Sequence, residues 1–200
     1  MASISIVRIC NMALSNIGAK STIESLTEGS AESNECNLWY DWSRLQALEA
    51  FDWSFARRRL TLATHSDDPP GDEWGFRYQY PADCVKFRRI WNPAGLKALP
   101  VPYEIAMSEN LGTKTILTDM DDAIGIFTFD QEIVTMFSPL FVDMMAALMA
   151  SRLAMPLTGK KTIQDDMIQR FTNLQGAAPA SNANEESQKP PQDADWIEAR

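Results

Sequence analysis

The chain has 200 residues, 45% hydrophobic and 22% charged, with a formal net charge of −9. A chain of that length buries roughly 70% of its unfolded surface, so one core can form without disulfide or metal staples, and the composition excludes collagen-like, low-complexity and wholly disordered classes. So acidic a chain does not clamp duplex DNA by neutralising phosphates; no run of eighteen uncharged apolar residues marks a membrane helix, and the opening residues lack a signal peptide's basic start.

In chain order, residues 4–18 read as an amphipathic helix. Ile6, Ile9, Cys10, Ala13, Leu14 and Ile17 recur at helical spacing, and Gly18 offers a left-handed stop. A polar connector covers 19–29. A longer helix is expected over 31–51, capped by Ser30, with Glu32 and Glu35 near its positive end. Leu38, Trp42, Leu45 and Leu48 make one apolar stripe, widened by Trp39 and Ala47. The first two helices are expected to bury these stripes on each other as an antiparallel pair.

From Trp53 the pattern alternates, which predicts a strand with Trp53, Phe55, Arg57 and Arg59 on one face. His65–Gly75 is a loop by its Asp, Pro and Gly content. Short strands are expected at 76–80, 84–91, 103–107, 115–118 and 125–128. Helix returns at 139–155, with Ser138 as cap, Pro139 in the first turn and Pro156 as terminator. A fourth helix is expected over 160–175, closed by Gly176. Residues 176–200 are rich in Ala, Pro, Asn, Gln and acid, with Trp196 and Ile197 as the large apolar pair. Such a segment does not fold alone, so an extended tail held by a partner chain is expected.

The expected fold class is therefore α+β: an antiparallel bundle of about four helices, a small, mostly antiparallel β region inserted between helices 2 and 3, and an extended C-terminal tail. The divisions are 1–52 for the first helix pair, 53–137 for the β region, 138–175 for the second pair and 176–200 for the tail.

Motifs for chemistry are sparse. The three cysteines, Cys10, Cys36 and Cys84, are widely spaced and fit no zinc pattern. They read as buried reduced thiols, in keeping with synthesis in a cytoplasm. His65 reads as an exposed loop residue with no activated Ser or Cys beside it. Asp119, Asp121 and Asp122 fail EF-hand spacing and read as a turn. Thr158–Thr162 resembles a phosphate loop in part, but it lacks the required glycine and lies between helices. No catalytic residue, metal or cofactor is expected. Arg57, Arg59, Arg88 and Arg89 concentrate positive charge in the β region, against acidic helices. They are expected to meet acids at a subunit or tail-component interface, with internal salt bridges as the other use.

Four pieces, in this order, resemble the tail tubular protein A family, the head-to-tail adaptors of short-tailed bacteriophages. They are the opening helix Ile9–Gly18 ending in "IG"; Trp53-Ser54-Phe55-Ala56, a "W-x-F-A" strand; Tyr78–Lys86, with "Y-x-x-P-x-D-C" at its centre; and Met145–Gly159, a penultimate helix and turn. The likeness spans about 9–175. It implies a ring, usually of twelve copies, beneath the portal protein of a virion. The ring would carry a nozzle, tail tubular protein B or fibre and let DNA pass through its lumen, with no membrane, no cofactor and no catalytic residue. It also implies that the tail docks on the portal, which makes Trp196, Ile197 and Arg200 the candidate docking residues. Rival expectations are a head-completion connector of a long-tailed phage and a tail-associated hydrolase.

Overall fold

The computed structural model describes residues 4–71, 73–95, 99–108, 110 and 112–185. The fold is α+β, with four helices and two small antiparallel sheets. Helices α1 (Ile6–Asn16) and α2 (Ala31–Ala50) precede the strands; α3 (Pro139–Thr158) and α4 (Lys161–Glu185) follow them. The caps Ser30 and Ser138 lie where the sequence puts them, and Ser5 caps α1. The side chains of Ser5, Ser30 and Ser138 accept the backbone N–H of Arg8, Ser33 and Phe141, and Gly18 takes the left-handed conformation at φ 71°.

α3 is the centre of the bundle. Twelve of its twenty residues are buried, because α1, α2 and α4 all pack against it. A helix apolar on all sides is a core helix. α3 is also long and apolar enough to cross a membrane by length and composition; here its neighbours cover it. The expected pairing of α1 with α2 is not what forms: both rest on α3 and scarcely touch each other.

Two helix ends differ from expectation. Pro156 does not stop α3, which runs on to Thr158 and ends where Gly159 turns left-handed at φ 66°. A proline near a helix end forfeits one backbone bond, and a last turn without a following constraint tolerates this. Nor does Gly176 close α4, which continues through Gly176 and Pro179 to Glu185. Ala177, Ala178 and Ala180 restore helix propensity there, and Ala178 is fully buried against the bundle. The predicted docking residues Trp196, Ile197 and Arg200 lie outside the described residues.

The strands are β1 (Arg57–Thr61), β2 (Phe76–Gln79), β3 (Cys84–Ile90), β4 (Glu104–Met107), β5 (Lys114–Thr118) and β6 (Ile124–Phe129). They form two sheets, β1-β6-β3 and β2-β5-β4, antiparallel throughout. The sheets enclose Leu62, Tyr78, Phe87, Ile90, Ile116 and Phe127 as a second core. Gly125 is required in that core, because a Cβ there would stand 2.8 Å from the Phe87 ring and 2.9 Å from Leu62.

The first predicted strand begins late. Ser54–Ala56 is a 3-10 turn, and β1 starts at Arg57. The reason is an aromatic cluster that belongs to the bundle. Trp53 meets Phe141 edge-on at 5.2 Å, Phe55 meets Phe141 at 5.1 Å, and Phe137 meets Phe141 at 4.7 Å. The Trp53 indole N–H donates to the Ala47 carbonyl at 2.9 Å. The chain leaving the bundle and the chain returning to it are therefore pinned side by side.

Candidate interaction surfaces

α2 buries only part of the stripe that the apolar count selects. Ala47 and Leu48 are in the core as expected, but the rest of the buried face is Ser33, Cys36, Tyr40, Ser43 and Arg44, while Leu38 is 58% and Trp42 65% exposed. The buried residues also recur every three or four positions, and most are small, so α2 can approach α3 closely. That small-residue stripe was the available signal in the sequence. Its consequence is that the N-terminal part of the predicted stripe, Leu38 and Trp42, faces outward, while Leu48 stays in the core.

Trp42 and Leu45 form one wall of a groove of about 700 Å³. Ala82, Cys84 and Val85, at the start of β3, form the opposite wall. Acids rim it: Glu49, Asp83, Asp130 and Glu132. Three of them have partners within the chain. Asp130 pairs with Arg44, Asp83 with Arg58, and Glu49 with Lys86 at 3.1 Å. Glu132 has no ion pair among the described residues and is exposed. Arg152 closes the groove from α3, lying over the Trp39 ring at 5.1 Å and donating to Ser43 Oγ at 3.2 Å and to Gln46.

The four arginines expected at an interface separate into two pairs. Arg57 is turned inward, its Nε donating to Asp52 at 3.0 Å. Arg88 is a structural tie. Its Nε donates to Thr128 Oγ1 at 2.9 Å, and its Nη2 reaches the carbonyls of Leu48 at 3.1 Å, Glu49 at 3.0 Å and Phe51 at 2.7 Å. It thus satisfies the C-terminal carbonyls of α2, which a helix cannot satisfy itself, and a cation suits that negative end. Burial holds the Arg88 guanidinium below the ordinary arginine range, with Asp52 and Glu49 opposing.

Arg59 and Arg89 remain on the surface. Both are exposed, and both pair in register with Ile126, one from each side of β6. Residues directly opposite across an antiparallel ladder share a face, so the two arginines flank Ile126. A register shift between Phe87 and Arg89 brings consecutive arginines to the outer face, as a bulge does. Arg59 lies over the Trp91 ring at 4.0 Å. Neither Arg59 nor Arg89 has an ion pair among the described residues.

Two further readings are corrected. His65 is buried, not exposed: residues 63–65 extend the β2 edge through a Thr64–Tyr78 bridge, and the His65 N–H donates to the Arg77 carbonyl at 2.9 Å. Its Nδ1 accepts the Asp67 N–H at 3.0 Å. Ser108 directs its hydroxyl to the Asp67 carboxylate at 2.7 Å, which with His65 and Arg77 nearby holds that carboxyl below the usual range. The Ser108 O–H is thus directed to Asp67, and His65 Nδ1 is taken up by the Asp67 backbone N–H, which is not the Ser-to-His bond of an activated nucleophile. Of the cysteines, Cys10 and Cys36 are buried in the bundle, but Cys84 is half-buried in the groove wall. Burial raises the Cys84 thiol above its ordinary value, against a bond from Tyr80.

Chemically, these surfaces suit binding: an acid-rimmed apolar groove at one place and a planar-cation patch at another. No protein-family model matches the chain, and a comparison with curated proteins finds no match.

Proposed function

We propose that the chain is a structural head-to-tail adaptor of a short-tailed phage virion. Copies form a ring, of twelve by the stoichiometry of the resembled family, between the portal protein and the nozzle, tail tubular protein B or fibre. The mechanism is binding, without catalysis. The observation that carries the assembly part is the outward stripe on α2: Leu38 and Trp42 are more than half exposed, and each is worth roughly 1.5–3 kcal/mol when buried. Apolar surface gathered beside a groove marks an interaction site.

The order of parts supports the kind of assembly. The resembling pieces fall on α1, the bundle-to-sheet crossover, the β2–β3 connection and α3, as four elements of one framework. Charge supports the channel. Twelve copies at −9 each carry roughly −100 formal charges, and a repulsive wall does not hold phosphates.

Imaging the tail of the parent virion tests the reading. A ring of this chain between portal and nozzle is expected; virions lacking the chain would overturn it. Portal docking by Trp196, Ile197 and Arg200 is tested by truncation. The cut belongs after Glu185, since Ala178 is part of the bundle core. The truncated chain should keep its folded body and lose portal binding.

A further inference from the structure

Two surfaces of opposite character stand at opposite ends of β3. Cys84 and Val85, at its start, line the acidic groove; Arg89, near its end, belongs to the cation patch. Five steps along the strand separate Cys84 from Arg89 by about 15 Å, so one copy has room to hold two neighbours at once.

We propose that the α2 groove of one copy receives the Arg59–Arg89 patch of the next in a head-to-tail contact. The occupant is thus a second copy of this chain. The inference rests on the adaptor reading for closure into a circle, but the contact stands on the surfaces themselves.

Charge selects this pairing. Arg57, Arg58, Arg77 and Lys86 have acidic partners within the chain, and Arg88 is held by carbonyls. Among the described residues, the remaining sheet cations, without an acidic partner, are Arg59 and Arg89 on the β1-β6-β3 sheet and Lys114 on the other sheet, where it lies over the Tyr80 ring at 5.5 Å. On the groove side the carboxylate left over is Glu132. Two patches facing each other would oppose four guanidinium groups, whereas the groove, its other three acids paired within the chain, offers Glu132 beside apolar Trp42 and Leu45. A two-fold contact through the patch is therefore disfavoured, and patch into groove is favoured. A contact between two different faces repeats, giving a ring where the rotation closes.

The residue types fit as well. Arginine and aromatic side chains concentrate at interface centres. The patch offers Arg59 stacked on Trp91, and the groove offers Trp42 and Leu45. Burying Trp42 beneath a neighbour removes the largest exposed aromatic on α2 from water.

Sedimentation velocity on the full chain and two double variants tests the proposal. R59E/R89E spoils the patch and leaves the groove; W42A/E132R spoils the groove and leaves the patch. All four side chains are exposed, and unchanged thermal melts confirm that both variants fold. The wild-type chain is expected to form assemblies larger than a dimer. Each variant alone should lose association by roughly 100-fold or more. Mixed in equal amounts, they should stop at a heterodimer, because only one competent groove and one competent patch remain. As a second readout, maleimide labelling of Cys84 should slow several-fold on wild-type assembly, while Cys10 and Cys36 stay protected in the core. A wild-type chain that stays monomeric, a double variant that assembles like wild type, or a mixture that passes the dimer would each overturn the contact. Assembly by these faces in a chain absent from virions would sink the adaptor reading and leave the contact standing. A virion ring indifferent to R59E/R89E would do the reverse.

Discussion

The bundle and the β sandwich differ in depth. Among the described residues, twenty-two form the buried apolar cluster of the bundle and seven that of the sandwich. The bundle wraps one helix completely; the sandwich closes two three-stranded sheets over a few aromatic and aliphatic side chains. Apolar burial is the main favourable term in folding, so the bundle carries the larger share of stability. The sandwich's surplus arginines make it the region that displays charge. Ties that join the two regions among the described residues include the aromatic cluster at the crossover, Arg44 from α2 to Asp130 and the Gln131 carbonyl, and Arg88 and Lys86 from β3 to the end of α2.

The most damaging way to probe this contrast is Leu153→Ala in α3. Leu153 is fully buried at the bundle centre, and the change should cost about 2–5 kcal/mol. Urea denaturation should show the whole chain unfolding earlier; a loss confined to the sheets would break the assignment of stability to the bundle. Arg88→Ala should follow at about 2–3 kcal/mol, from bonds of a charged donor to half-buried carbonyls. It should also separate the regions, so that tryptophan fluorescence and hydrogen exchange of the strands no longer melt together. Lysine at 88 should recover only part of this, since one ammonium cannot reproduce the fork.

Gly125→Ala probes the sandwich alone. The added methyl meets Phe87 and Leu62, and overpacking of this kind costs about 1–3 kcal/mol. Hydrogen exchange should quicken in β3 and β6 more than in α3. The smallest effect concerns Tyr40. Its hydroxyl is buried without a partner among the described residues, and burial pushes its pKa up to about 12. Tyr40→Phe removes an unsatisfied group, so stability should hold or rise by up to about 1 kcal/mol; a clear loss on calorimetry would mean that the hydroxyl has a partner.

Local chemistry was readable without any fold. Ser30, Ser138 and Gly18 are legible as helix ends in the sequence, because a cap needs only the backbone a few residues away. The β insertion between two helical segments was readable because side-chain period changes from 3.6 to 2 within a short stretch. The groove was not readable. It exists because α2 turns Leu38 and Trp42 outward, and a period of 3.6 says that a helix has a face without saying which one wins. His65 was missed for a related reason: its loop composition is polar, but the chain there adds to a strand edge formed by residues further on.

What residue order determined by itself, then, is the succession of elements and most of their ends, since those depend on neighbours within one or two turns. Which side of α2 is covered, how far α4 continues past Gly176, and which arginines stay unpaired were settled by contacts between residues far apart along the chain. Arg88 and Arg89 are adjacent in sequence; a bulge and the position of the α2 end make one a brace and leave the other exposed.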